Sequence, residues 1–211
     1  KEHPNTAISY GNVGLVYDNQ GEYDKALEFF FKALKIQEKV LGKDHPDTAT
    51  SYNNIGSVYY EQGEYNKALE FYFIALEIDE KVLGKDHPST ATDYNNIGLV
   101  YKNQGEYDKA LEYYFKALEV QEKVLGEEHP NTATYYNNIG LVYKNQGEYD
   151  KALEYLSKAL TIRERVLGIE HTQTKATKEL IEEINGKQTE KCSNKPSSKG
   201  SIWNIFKRGK K

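Results

Sequence analysis

The chain of 211 residues has no methionine, one cysteine and one tryptophan. No apolar run approaches the roughly 20 residues that a membrane-spanning helix needs. A lone cysteine, Cys192, cannot form an internal disulfide, which is typical of a reducing compartment. The first residues lack the basic and apolar segments of a secretory signal. We therefore expect a cytoplasmic protein, and the missing methionine suggests that the sequence is part of a longer one.

Charge is divided unevenly along the chain. Residues 187–211 hold eight Lys or Arg and one Glu, a net charge of +7, so residues 1–186 carry -11 of the total of -4. An acidic body argues against nucleic-acid binding, because phosphate neutralisation needs a basic face. The Ser- and Lys-rich composition of residues 187–211 predicts a disordered basic tail. Its apolar end around Trp203 suits a solvated terminus, a contact with an anionic membrane surface, or a contact with the acidic body.

The sequence repeats itself every 42 residues. Residues 94–113 and 136–155 are identical. A histidine marks the start of each unit, and in the first four units a proline follows it: His3, His45, His87, His129 and His171. A fixed period of this length is typical of solenoids, in which stacked units bury a shared core.

Each unit contains the pattern of two helices. In the second unit, Tyr52, Ile55, Gly56 and Tyr59 follow helical spacing, and Gly63 is suited to a left-handed cap. A second apolar stripe begins at Tyr65 and predicts a second helix. These patterns predict a solenoid over residues 1–186 and a tail over 187–211, with repeats at about 3–44, 45–86, 87–128 and 129–170 and a capping helix at about 172–185.

Small residues recur inside the predicted helices. Glycine in a helix interior costs about 1 kcal/mol relative to alanine. The recurring glycines Gly14, Gly56, Gly98 and Gly140 therefore predict close approach of the second helix, where Ala26, Ala68, Ala110 and Ala152 are also small. The histidines would lie about 10 Å apart at closest, which favours capping or inter-repeat hydrogen bonds over metal binding.

These spacings resemble those of a known family. Tyr52-x2-Ile55-Gly56-x2-Tyr59 followed by Ala68-x3-Tyr72 resembles the tetratricopeptide pattern. The 42-residue period and the phrase Val-Leu-Gly-Lys-Asp-His-Pro resemble the repeats of kinesin light chains, to which nephrocystin-like arrays are similar. The resemblance implies an all-α, right-handed superhelical solenoid of tetratricopeptide helix-turn-helix repeats. The heptad region that precedes the repeats of kinesin light chains is not in this sequence.

The resemblance also implies a binding surface. In arrays of this family the first helix of each repeat lines a concave groove. The outward positions of that helix are rich in asparagine, whose carboxamide can both donate to and accept from the backbone of an extended peptide. The predicted peptide-binding residues are Asn12, Asn53, Asn54, Asn95, Asn96, Asn137, Asn138, Asn103, Asn145, Lys102 and Lys144.

These features predict a scaffold or adaptor that binds an extended segment of a partner protein. No nucleophile elbow, phosphate loop, zinc-protease motif or Cys-x-x-Cys pair is present, so we expect neither an enzyme nor a cofactor or metal. The resemblance implies a kinesin heavy chain or a cargo protein as partner, and an association with the cytoskeleton. The alternatives are the sensor portion of a larger signalling protein, such as a nucleotide-binding ATPase, and a peripheral membrane anchor that acts through the tail.

Overall fold

The computed structural model describes residues 3–193, and this part of the chain is a row of α-helices without strands. Helices α1 to α8 form four hairpins, in which the first helix is called the A helix and the second the B helix; α9 packs against α8. The helices are α1 (Pro4–Asn19), α2 (Tyr23–Val40), α3 (Pro46–Glu61), α4 (Tyr65–Val82), α5 (Pro88–Gln104), α6 (Tyr107–Leu125), α7 (Pro130–Gln146), α8 (Tyr149–Leu167) and α9 (Thr172–Ser193). The all-α solenoid expected from the sequence is confirmed.

Each A helix begins at a histidine cap. His45 has an extended backbone, and its Nδ1 atom accepts a hydrogen bond from the backbone N–H of Asp47 at 3.1 Å. Pro46 follows in the first turn, where its missing N–H leaves no hydrogen bond unmade. The other four histidines accept the equivalent bond at 3.1–3.2 Å. The capping role expected of the histidines is therefore confirmed.

The turn between the A and B helices depends on glycine. Gly63 has φ of +76°, a conformation that side chains with a Cβ atom rarely adopt. The backbone N–H of Glu64 then donates to the carbonyl of Tyr59 at 2.9 Å, which completes the end of α3. The left-handed cap predicted at Gly63 is confirmed.

The A and B helices of one hairpin approach closely at the mid-helix glycines. A Cβ atom on Gly98 would lie 2.8 Å from the ring of Tyr114, which is fully buried. Gly14, Gly56 and Gly140 face Phe30, Tyr72 and Leu156 in the same way. The close approach is as expected, but the group that fills the space is this large side chain, four residues after the alanine expected there.

Each B helix also packs against the A helix of the next hairpin. Ala26, Phe30 and Leu34 of α2 form one apolar cluster with Ile55 and Val58 of α3. Neither hairpin helix could bury its apolar stripe alone, and stacking removes that stripe from water. Nothing in residues 3–193 packs on the free side of α1, so Val16 is 55% exposed whereas the equivalent Val58 is buried.

The last helix is longer than the sequence predicted. Helix α9 runs to Ser193, beyond the expected end at about residue 185, and contains Gly186 without a break. Ile184 is buried against Leu156, and Gln188 Nε2 donates to Asp150 Oδ1 at 2.8 Å. Ile184 belongs to the predicted capping helix, whereas Gln188 belongs to the predicted tail of residues 187–211, so the first residues of that tail are part of α9 and contact the fourth hairpin. The rest of that predicted tail, residues 194–211 with Trp203, lies outside the described residues, and within residues 3–193 no helix is long and apolar enough to span a bilayer.

Candidate peptide-binding surface

All the predicted binding residues lie on the A helices. One asparagine of each A helix occupies the same place in its repeat, and we call this set the amide row: Asn12, Asn54, Asn96 and Asn138. Asn54 and Asn96 are half-buried, and neither makes a side-chain hydrogen bond within residues 3–193. Asn12 is exposed, and Asn138 Nδ2 donates to Asn95 Oδ1 at 2.9 Å. The centre of the amide row therefore offers free donors and acceptors.

The preceding asparagine of each pair has a different role. Asn53 Nδ2 donates to Asp93 Oδ1 of the next hairpin at 2.5 Å. Asn137 Oδ1 accepts from Arg163 Nη1 at 3.1 Å and from Thr177 Oγ1 at 3.4 Å. Asn53 and the acceptor Asn95 thus join neighbouring hairpins, and Asn137 joins the fourth hairpin to α9. These amides already have structural partners, so a ligand could use only their remaining donors and acceptors.

One turn further along, the predicted residues are also divided. Asn103 Nδ2 donates to the hydroxyl of Tyr60 in the preceding hairpin at 2.5 Å. Asn145 is exposed and lines an open crevice between the third and fourth hairpins, beside Tyr107 and Gln146. Asn145 is therefore accessible, whereas Asn103 already has a partner.

The charge of the surface changes sign along the array at one position of the repeat. This position holds Asp18, Tyr60, Lys102 and Lys144 in successive A helices. Burial, and to a smaller extent Glu61, raises the pKa of the Asp18 carboxyl. Burial lowers the pKa of the Lys102 ammonium, which has no ion pair within residues 3–193. The first hairpin thus carries an acidic group at this position, and the third carries a basic one.

Lys144 is already paired. Its Nζ atom lies 2.6 Å from Glu183 Oε2 of α9. Hydrogen bonds from Lys144 and Lys187 lower the pKa of Glu183 to about 2, so this carboxylate is charged throughout the physiological range. Of these two predicted lysines, Lys102 has no ion pair within residues 3–193, whereas Lys144 is paired with Glu183 of α9.

Apolar side chains lie between the amides. Leu99 and Leu141 are half-buried, Leu15 is 43% exposed, and Ser57 occupies the equivalent place in the second hairpin. A ligand side chain would lose contact with water against these leucines, which adds affinity to hydrogen bonds that each contribute only about 0.5–1.5 kcal/mol. Within residues 3–193 the surface thus combines amides, leucines and a lysine without an ion pair, Lys102.

Sequence reasoning missed one set of buried polar residues. At each junction a polar residue of the B helix is followed 14 residues later by a polar residue of the next helix, and all of them except the half-buried Gln37 are buried: Gln37 and Ser51, Asp79 and Asp93, Gln121 and Tyr135, and, between the fourth hairpin and α9, Arg163 and Thr177. The available signal was their variability: the B-helix position holds Gln, Asp, Gln and Arg and the position 14 residues later holds Ser, Asp, Tyr and Thr, whereas their neighbours are nearly constant. Within residues 3–193 no three His, Cys, Asp or Glu side chains form a cluster that would hold a metal ion.

Comparison with known proteins supports the fold. The chain is similar to the crystal structure of a putative kinesin light chain with nearly identical TPR-like repeats from Podosopora anserina, at 24% identity, 92% of this chain, 93% of that chain and a TM-score of 0.75. It is also similar to BtubC (BKLC) from P. vanneervenii, at 22% identity, 93% of this chain, 85% of that chain and a TM-score of 0.67. The apo form of RapI matches 87% of this chain at 23% identity, over 64% of that chain, with a TM-score of 0.75. No curated protein matches the sequence.

A family model also matches the sequence directly. The model for the tetratricopeptide repeat matches residues 5–72, 74–114, 94–165 and 136–184. These segments include nearly all of the four hairpins and much of α9. The solved neighbours confirm the resemblance to arrays of the kinesin light chain type at the level of the fold. The chain belongs to the tetratricopeptide repeat family.

Proposed function

We propose that this protein is a scaffold that binds an extended peptide segment of a partner protein on its A-helix face. The observation that carries the proposal is the pair Asn54 and Asn96. These side chains occupy equivalent places in adjacent hairpins, are half-buried, and make no side-chain hydrogen bond within residues 3–193. Asparagine is a poor residue for a helix interior, so its recurrence there is better explained by a ligand than by helix formation.

The charge of the surface supports a direction for the bound segment. Lys102 lies half-buried beside the amide row without an ion pair, and Asp18 lies two hairpins earlier. A ligand carboxylate near Lys102 would replace part of the hydration that the ammonium has lost, which favours an acidic side chain at this point of the segment. The opposite end of the segment would then lie near Asp18 and Glu61, where a basic or neutral residue is preferred.

The proposal is tested with peptides selected on the full chain. A library of random 12-residue peptides is selected against the wild-type protein, and the enriched peptides are titrated by fluorescence anisotropy. For Asn54→Ala/Asn96→Ala we expect the Kd to rise about 5- to 150-fold, because two hydrogen bonds of about 0.5–1.5 kcal/mol each are lost.

The matched control is Asn131→Ala. Asn131 is an exposed asparagine in the first turn of α7, away from the amide row. This control should change the Kd by less than about twofold. If the double variant keeps both its helical circular dichroism spectrum and its affinity, the A-helix face does not hold the peptide as proposed.

A finer role as an adaptor between a kinesin motor and its cargo is also a proposal. It is supported by solved structures of similar fold, one of which carries the name putative kinesin light chain. The identities of 22–24% extend to the fold, and the partner remains to be identified by capture with the wild type beside the Asn54→Ala/Asn96→Ala variant. A cytoplasmic location, a place within a larger signalling protein and membrane contact by the tail likewise remain hypotheses.

A further inference from the structure

The junction between the second and third hairpins contains two buried carboxyl groups. Asp79 of α4 is 4% exposed and Asp93 of α5 is fully buried. At the first junction the equivalent residues are neutral, and Ser51 Oγ donates to Gln37 Oε1. The second junction is thus the one, among those between the four hairpins, at which both positions hold a buried acidic side chain, and these two carboxyl groups are within hydrogen-bonding reach of each other.

The hydrogen bonds of this pair are incomplete if both groups are ionised. Asn53 Nδ2 donates to Asp93 Oδ1 at 2.5 Å, but Asp93 Oδ2 and Asp79 Oδ1 are buried and receive no hydrogen bond from any donor within residues 3–193. An ionised carboxylate can only accept hydrogen bonds, so two of them in contact have no bond to share and repel each other. A single proton between the two groups supplies the missing donor and removes one negative charge.

We propose that Asp79 and Asp93 share one proton in the folded protein, and that losing this proton weakens the junction between the second and third hairpins. Asp93 carries the proton and donates it to Asp79, while its other oxygen accepts from Asn53. Deprotonation leaves two negative charges in the interior with one donor between them. The protein then tolerates this arrangement only at a cost in stability or by partial opening of the junction to water.

The groups around Asp79 and Asp93 would offset little of the negative charge of the ionised pair. α4 contributes Glu80, which accepts a hydrogen bond from Tyr94, and the N-cap of α5 contributes His87, which favours ionisation of Asp79. α3 contributes the neutral amide of Asn53, and Lys116 of α6 lies 6.0 Å from the centre of the Tyr94 ring. Burial raises the pKa of Asp93 to about 7 and also raises that of Asp79.

The direction of the pH effect follows from the raised pKa. An aspartate in the unfolded chain titrates near 3.9, so between about pH 4 and pH 7 the folded protein binds a proton that the unfolded chain has lost. The pair therefore contributes its full stability below about pH 4. This contribution falls progressively as the pH rises from about 4 through about 7, and it is absent above about pH 7.

The first junction of the same protein supplies neutral residues for the test. Asp79→Gln/Asp93→Ser gives the second junction the two residues of the first junction. Urea unfolding of the full chain is followed by circular dichroism between pH 5.5 and 8.5. The histidine caps and the other carboxylates are common to both proteins, so the ratio of their unfolding constants isolates the pair. We expect this ratio, wild type over variant, to rise about tenfold per pH unit up to about pH 6.5 and to level off above about pH 7.5.

A second variant keeps the proposal testable if Asp79→Gln/Asp93→Ser packs poorly. Asp93→Asn keeps the shape of the side chain, removes the titration, and should give the same pH dependence relative to wild type. A ratio that does not change with pH for either variant would overturn the proposal. Stabilisation of the wild type, but of neither variant, by calcium chloride at pH 8 would also overturn it, because the pair would then hold a cation instead of a proton.

Discussion

The A helices and the B helices join neighbouring hairpins by different chemistry. Successive A helices contact each other through polar groups, such as Asn53 with Asp93 and Asn138 with Asn95. Successive B helices contact each other through ring edges, with centre distances of 5.9–6.1 Å and interplanar angles of 65–66°. These ring pairs are Phe31 with Phe71, Phe73 with Tyr113, and Phe115 with Tyr155.

This difference bears on where a ligand can act. A hydrogen bond between two amides can be exchanged for one with a peptide at little net free energy. A ring-edge contact cannot be replaced in that way, because a polar ligand offers nothing equivalent. The exchangeable contacts between hairpins therefore lie in the A-helix layer, and the contacts that a peptide could not replace lie in the B-helix layer.

The largest expected effect is at the contact that holds the two layers together. Gly98→Ala places a methyl group 2.8 Å from the buried ring of Tyr114, so we expect the free energy of unfolding to fall by about 1–3 kcal/mol. Urea unfolding followed by circular dichroism measures it. The control is Gly11→Ala in the helical interior of α1, where the added Cβ meets nothing within 4 Å and stability should rise by about 0.5–1 kcal/mol. A loss at Gly11, or a gain at Gly98, would contradict this account of the layer spacing.

A smaller effect should separate the two asparagines of a pair. Asn137→Ala removes an acceptor from the buried Arg163 guanidinium, and we expect a loss of about 1–2 kcal/mol in thermal or urea unfolding. Asn96→Ala removes no side-chain hydrogen bond, so stability should stay within about 0.5 kcal/mol of wild type. Equal losses for both variants would mean that the division between junction amides and ligand amides is wrong.

The smallest effect is expected on the B side. Phe115→Ser introduces the residue that the fourth hairpin already has at this place, Ser157, and removes the edge contact with Tyr155 at 5.9 Å. We expect a loss of about 1 kcal/mol, read from the midpoint of thermal unfolding. Val124→Ser on the same helix is the control and should lose about half as much, because Val124 is 43% exposed. Similar losses at both positions would remove the special role given to the ring edges.

The features that could be predicted from the sequence are those that depend on residues close together along the chain. The histidine cap acts over two residues, the Gly63 turn over five, and the Gly98 contact within one hairpin. Such features follow from local rules, which is why the hairpin and its boundaries were predictable. The 42-residue period then predicted the stacking, because similar units that each expose an apolar stripe can bury that stripe by packing against one another.

The partners of the asparagines were not predictable in the same way. Asn53 and Asp93 are 40 residues apart, and Asn95 and Asn138 are 43 apart, so their contact depends on how one hairpin is rotated against the next. A helical spacing shows which face a residue occupies, but the difference between facing a neighbour and facing the groove is a fraction of a turn. The end of α9 was missed for a related reason, because contacts of Ile184 and Gln188 with the fourth hairpin outweigh the helix-breaking tendency of Gly186.

The variable junction pairs have a consequence for how such a gene can change. Segments as alike as residues 94–113 and 136–155 invite unequal recombination, which removes or adds one unit at a time. Removal of residues 87–128 would leave every cap and turn intact, yet it would set Asp79 against Tyr135, a combination that none of the present junctions contains. The residues at each junction therefore depend on the order of the units, and a shortened descendant would bury a new polar pair that recombination alone has not matched.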